Sequence, residues 1–205
     1  MGILDHGIKN VEDLYMDSRE LYNTAVMSKA DSIIGDLTSA INNLRENWKG
    51  ADAGVNITDV IEICREITEV RNRLADLARD ANAIAVMYRK IQEGNRANLG
   101  DLPPISTVSR ELYKNDYSDT ADTIYIRPEA AVGKDSIGTA AKDIQAFVDS
   151  ARLYKNKILD NWYMGPGRNQ ADDAFDAFDK SSKVKQAKLE EVAQIVGKAV
   201  DSYGG

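Results

Sequence analysis

Between Val60 and Ile91 the chain sets down an apolar or aromatic residue at every third or fourth position: Val60, Ile63, Ile67, Val70, Leu74, Leu77, Ala81, Ile84, Tyr88 and Ile91. No polar residue interrupts the stripe over more than four heptads. A half-buried strand would alternate every second residue, so this spacing predicts a long helix and calls for a partner helix with a matching stripe. At 1.5 Å per residue, its roughly 35 residues make a rod of about 50 Å.

The partner precedes it. From about Asp5 to Trp48, Tyr22, Val26, Ala30, Ile33, Leu37, Ala40 and Leu44 recur at helical spacing, and the first 102 residues contain no proline. The segment Trp48 to Gly54 breaks the pattern, and Thr58 or Asn56 is placed to cap the second helix, whose first turn would carry Asp59 and Glu62. Two helices alone would leave Ile34, Ile41, Ile57, Ile61 and Val86 partly exposed, which predicts a second helix pair against the first.

That pair lies beyond a connector, Gly100 to Lys134, marked by Pro103-Pro104, Pro128 and a polar run from Lys114 to Asp122. Within it Thr123 to Arg127 has strand character and Ser109 to Tyr113 fits a short helix. Helical spacing resumes from Asp135 through Ile137, Ala140, Ile144, Phe147, Ala151, Tyr154, Ile158 and Trp162. Met164-Gly165-Pro166-Gly167 reads as a turn, and Asn169 to Tyr203 as a fourth helix whose apolar phase slips near Ser181-Ser182. The expected fold is all-α: two long helical hairpins packed as a four-helix bundle and joined by an irregular connector. The expected divisions are a first hairpin over 1–98, a connector over 99–133 and a second hairpin over 134–205.

The hairpins share landmarks. Leu44-Arg45-Glu46-Asn47-Trp48-Lys49-Gly50 at the first bend is answered by Leu159-Asp160-Asn161-Trp162-Tyr163-Met164-Gly165 at the second, and Ser18-Arg19-Glu20-Leu21-Tyr22 recurs as Ser109-Arg110-Glu111-Leu112-Tyr113. A tryptophan ending a helix can lay its indole across the bend, while glycine reverses the chain with little strain at positive φ. Trp48, Gly50, Trp162 and Gly165 are the candidate turn motif. A hairpin of about 100 residues with Trp-x-Gly at its bend resembles the WXG family, the small ESAT-like proteins exported by type VII secretion systems of Gram-positive bacteria. Trp48-Lys49-Gly50 fits the motif, and the longer Trp162-to-Gly165 stretch resembles a diverged copy.

In that family two hairpins associate antiparallel into a four-helix bundle, so the resemblance implies a tandem carrying both in one chain, a monomeric pseudo-dimer rather than a homodimer. It further implies a substrate or export companion whose partners are the type VII secretion machinery or a co-exported protein. Such a chain is secreted without a signal peptide, or cytoplasmic before export. The family's export signal, Tyr-x-x-x-Asp/Glu, is matched in spacing by Tyr125 and Glu129, although Pro128 would disrupt a helix there. Val60, Ile63, Ile67, Val70, Leu74, Leu77 and Ile84 would form the assembly seam. Two other readings of the residues stand beside this one: an intracellular helical scaffold or adaptor, and a second half that swaps into another chain.

Composition narrows the chemistry. The net charge is −7 with no basic block, so a nucleic-acid partner lacks its electrostatic footprint and membrane contact is disfavoured. One cysteine, Cys64, and one histidine, His6, give neither a disulfide nor a Cys/His zinc set. No catalytic constellation, cofactor motif or small-molecule substrate site emerges, and the chain reads as a non-enzyme. The start carries no basic n-region followed by an apolar stretch, and no run approaches the length of a membrane helix. Asp172, Asp173, Asp176 and Asp179 read as carboxylates near a helix start that favour its dipole, and Lys180, Lys183, Lys185 and Lys188 as a solvated face.

Overall fold

A computed structural model describes residues 7–93, 101–104, 117, 119, 124–163 and 166–203. The protein is an all-α helical bundle. Helix α1 (Val11–Glu20) runs without a break into a π-helical segment, π1 (Leu21–Ala30), and then into α2 (Asp31–Asn47). A two-residue strand β1 (Trp48–Lys49) and Gly50 lead into α3 (Ala51–Glu93). Strand β2 (Tyr125–Ile126) precedes α4 (Ala130–Asn161), and α5 (Pro166–Tyr203) follows. Four long helical runs therefore make up almost all of the described residues.

Several boundaries depart from expectation for local reasons. The first helix starts at Val11 rather than near Asp5, because the Asn10 side chain accepts hydrogen bonds from the N–H groups of Glu12 (3.0 Å) and Asp13 (3.2 Å). Neither Thr58 nor Asn56 caps the second helix. Gly50, at φ 114°, turns the chain in one residue, and the helix begins at Ala51. Asn56 and Thr58 then sit inside α3 and donate to the carbonyls one turn back, Asp52 (2.7 Å) and Gly54 (2.8 Å). Helix α4 starts at Ala130, five residues before Asp135, with Pro128 in the turn that opens it. Helix α5 starts at Pro166 instead of Asn169 and passes unbroken through the expected slip, burying Ser182. The expected strand character between Thr123 and Arg127 is realised as β2. The expected helix at 109–113 lies outside the described residues.

The chain divides into two compact units, each drawing on residues from both 11–93 and 130–203. The first comprises Met1–Ala30, Glu69–Ser106 and Phe147–Asp179. Its core holds Leu14, Leu21, Leu74, Leu77, Phe147 and Phe175, all fully buried, with Phe178 edge-on to Phe147 at 5.9 Å. A buried polar pair, Ser18 and Asn82, lies in the same core at 3.5 Å. At its rim Arg89 pairs with Glu12 (2.9 Å) and Lys157 with Asp17 (3.5 Å).

The second unit comprises Asp31–Thr68, Thr107–Ala146 and Lys180–Gly205. Ile33, Leu37, Ile41, Leu44, Ile57, Ile61, Ile137, Ile144 and Val192 fill its core. Here Gly133 has a packing reason: a Cβ would sit 2.8 Å from Asn43 Oδ1 and 2.9 Å from Leu44 Cγ, so a side chain would push α4 off α2. Asn43 ties the two helices together, donating to the Glu129 carbonyl (3.1 Å) and accepting from the Gly133 N–H (3.0 Å).

Candidate interaction site at the two tryptophan bends

At the first bend Trp48 and Lys49 form an antiparallel ladder with the segment leading into α4, Trp48 opposite Ile126 and Lys49 opposite Tyr125. The Arg127 N–H donates to the Asn47 carbonyl at 2.8 Å. Trp48 is 4% exposed, so its indole is packing material and not a surface group. The Gly50 N–H donates to Asp119 (3.3 Å), and a Cβ at Gly50 would lie 3.1 Å from the Ile124 side chain. Lys49 Nζ donates to the Arg45 carbonyl (2.6 Å) and to the Tyr117 hydroxyl (3.2 Å), which donates on to Asp119 (3.1 Å). The Arg45 and Lys49 cations stand 5.4 and 5.7 Å from the Tyr117 ring centroid. The hydrogen bond to Tyr117 holds the Lys49 ammonium above its ordinary range, against the opposing effect of burial, and Asp119 adds to the rise.

The second bend is built the same way. Ile8 bridges Trp162, the Lys9 N–H donates to the Asn161 carbonyl (2.9 Å), and the Tyr163 N–H donates to the Gly7 carbonyl (2.9 Å). Trp162 is 2% exposed, and Lys9 Nζ stands 4.9 Å from the Tyr163 ring. Gly165 lies outside the described residues. Each bend is thus an Asn-Trp pair held by an isoleucine followed by a basic residue: Ile126-Arg127 on Asn47-Trp48, and Ile8-Lys9 on Asn161-Trp162.

The same arrangement recurs at both bends. Ile126 answers Ile8, and Trp162 answers Trp48. The other recurrence, of Ser18–Tyr22 as Ser109–Tyr113, has its second copy outside the described residues. The Ile-basic pairs are the residues sequence reading missed. Their signal is two letters long and becomes visible only once the partner strand is known.

Tyr125 is half-buried in β2, with the Arg127 guanidinium 5.4 Å from its ring, and Glu129 is exposed in the turn before α4. The two therefore do not share a helical face. Of the seam, Val60, Ile63, Ile67, Val70, Leu74 and Leu77 are buried, Ile84 is half-buried and Ile91 is 71% exposed. Cys64 is buried among them.

The charged residues of the second hairpin are not where expectation put them. The first turn of α5 carries no acidic residue, so the aspartates are not dipole partners. Asp172 and Asp176 (3.0 Å) grip Lys155 of α4, whose side chain is 4% exposed and lies 5.0 Å from the Phe175 ring centroid. Asp179 binds Arg152 through two hydrogen bonds of 2.6 and 3.0 Å. Nor is the lysine set a purely solvated face: Lys185 reaches Glu66 (2.7 Å) and Lys188 reaches Asp59 (3.1 Å), both on α3. Among the described residues no group of three or more His, Cys, Asp or Glu is placed to hold a metal ion, and no helix is long and apolar enough to cross a membrane.

Comparison of the chain with models of known families, with curated proteins and with solved structures gives no match.

Proposed function

We propose that the chain is a non-enzymatic helical-bundle protein acting through protein–protein contacts, as a substrate or export companion of a type VII secretion system. One observation carries the reading: Trp48-Lys49-Gly50 stands at the bend between two long helical runs, 11–47 and Ala51–Glu93, as the Trp-x-Gly resemblance requires. The tryptophans are buried locks. What a partner would touch is the rim, where Ile124 (81% exposed), Val55 (64% exposed), Arg127 and Glu129 face outward. The exposed apolar groups supply contact area and Glu129 supplies a charge that a partner can read.

The test is export of the native chain. Expressed in a Gram-positive strain with an active type VII system, it should reach the culture medium, and it should stay in the cells of an isogenic strain lacking the system's ATPase. Retention in both strains would contradict the reading and leave an intracellular scaffold, and release from both would contradict it by making export independent of that system. In the competent strain Glu129→Ala should lower export while leaving the melting temperature within about 1–2 °C, since the side chain is exposed.

A further inference from the structure

The second bend is closed by a short strap that precedes α1. The Lys9 N–H donates to the Asn161 carbonyl (2.9 Å), the Tyr163 N–H donates to the Gly7 carbonyl (2.9 Å), and Ile8 is buried opposite Trp162. Lys9 Nζ adds a contact with the face of the Tyr163 ring, 4.9 Å from its centroid. None of these contacts belongs to a helix. Asn10 caps α1 with its own side chain, so residues 7–9 can leave the bend without breaking α1.

Backbone bonds of this kind depend on position and not on residue identity, and the same seat is filled elsewhere by a different segment. At the first bend Ile126 lies opposite Trp48, and the Arg127 N–H donates to the Asn47 carbonyl (2.8 Å). Ile-Lys and Ile-Arg therefore meet an Asn-Trp bend in the same way: backbone pairing, an aliphatic side chain, and a cation one residue on. One donor at the second bend is left over. The Trp162 indole Nε1 is buried and finds no acceptor among the described residues, which costs stability as long as it lasts.

We propose that the second bend is a docking site for an extended segment of a partner protein, an isoleucine followed by lysine or arginine with a carboxylate or amide close by, and that Gly7–Lys9 occupy the site in cis. Tethering favours the strap over any segment arriving from solution. The acceptor on the incoming segment offsets that advantage by pairing with the Trp162 indole N–H, which the strap leaves unsatisfied. Such a site serves an exported protein and an intracellular scaffold alike.

A peptide with the chain's own sequence from Ile124 to Glu129 is the probe, since it carries the Ile-Arg pair and a carboxylate. Added to full-length Ile8→Ser, whose strap has lost its apolar anchor, it should bind saturably and shift the Trp162 indole N–H resonance, assigned by its absence in Trp162→Phe. Binding to the parent chain should be about tenfold weaker or less, because Gly7–Lys9 compete. The peptide bearing Ile126→Ser should not bind. No saturable binding to Ile8→Ser, equal affinity for parent and Ile8→Ser, undiminished binding of the Ile126→Ser peptide, or a shift confined to the Trp48 indole would each overturn the proposal. Dimerisation of Ile8→Ser without peptide, read by light scattering, would also overturn it, by making a second copy of this chain the occupant. If Ile8→Ser does not fold, Lys9→Pro, which removes the N–H that donates to Asn161, takes its place in the same titration.

Discussion

At Gly50 a single residue reverses the chain at φ 114°, and a methyl group there would both adopt a disfavoured backbone region and press on Ile124. Gly50→Ala should therefore cost about 1–3 kcal/mol in a denaturant melt. Gly35, inside α2, is the opposite case: an added Cβ would meet nothing within 4 Å outside its own helix backbone, and Gly35→Ala should stabilise by about 0.5–1 kcal/mol. Asp36 gives a pH signature. Burial, and then the nearby Asp143 charge, raise its carboxyl above the ordinary aspartate range. A carboxylate whose folded value is raised costs stability once ionised, so that contribution is intact at low pH and is lost as pH rises through the folded value. Asp36→Asn should accordingly melt higher than the parent at pH 7, and the difference should vanish below the ordinary aspartate range. Lys155 was not legible in the sequence. A lysine at 155 and aspartates at 172 and 176 look like surface charge until α4 and α5 are packed, and only then does the ammonium prove buried.

Among elements, α3 was the most legible, because a stripe that holds a three-four alternation over ten positions has one physical solution. Its end was not. Ile91 continues the spacing but stands 71% exposed, since a periodic pattern does not say where the partner helix stops covering it. Leu74→Ala, fully buried, should cost about 2–5 kcal/mol, whereas Ile91→Ala should stay within about 0.5 kcal/mol in the same urea titration. The caps were misplaced for a related reason: Thr58 and Asn56 are good capping residues by type, but the single-residue turn at Gly50 made an earlier start available. The π segment left no distinctive trace in the fours from Tyr22 to Val26 to Ala30. Those steps are compatible with an ordinary α-helix, and α3 itself buries five residues at the same spacing, Val70, Leu74, Ala78, Asn82 and Val86.

For the whole molecule, the all-α bundle was readable from periodicity and the two bends from their tryptophans. What holds the bends was not. Both Ile-Lys and Ile-Arg act through backbone hydrogen bonds, which depend on position and leave almost no mark on residue choice. One chain supplies both hairpins, and each bend is closed by the segment that precedes the other hairpin. Light scattering on the purified full chain tests this most directly. A monomer of 22.6 kDa is the predicted result, and Trp162→Ala, which removes a side chain only 2% exposed, should lower its melting temperature without changing that mass. A parent chain of twice that mass, or one indifferent to the loss of Trp162, would contradict it.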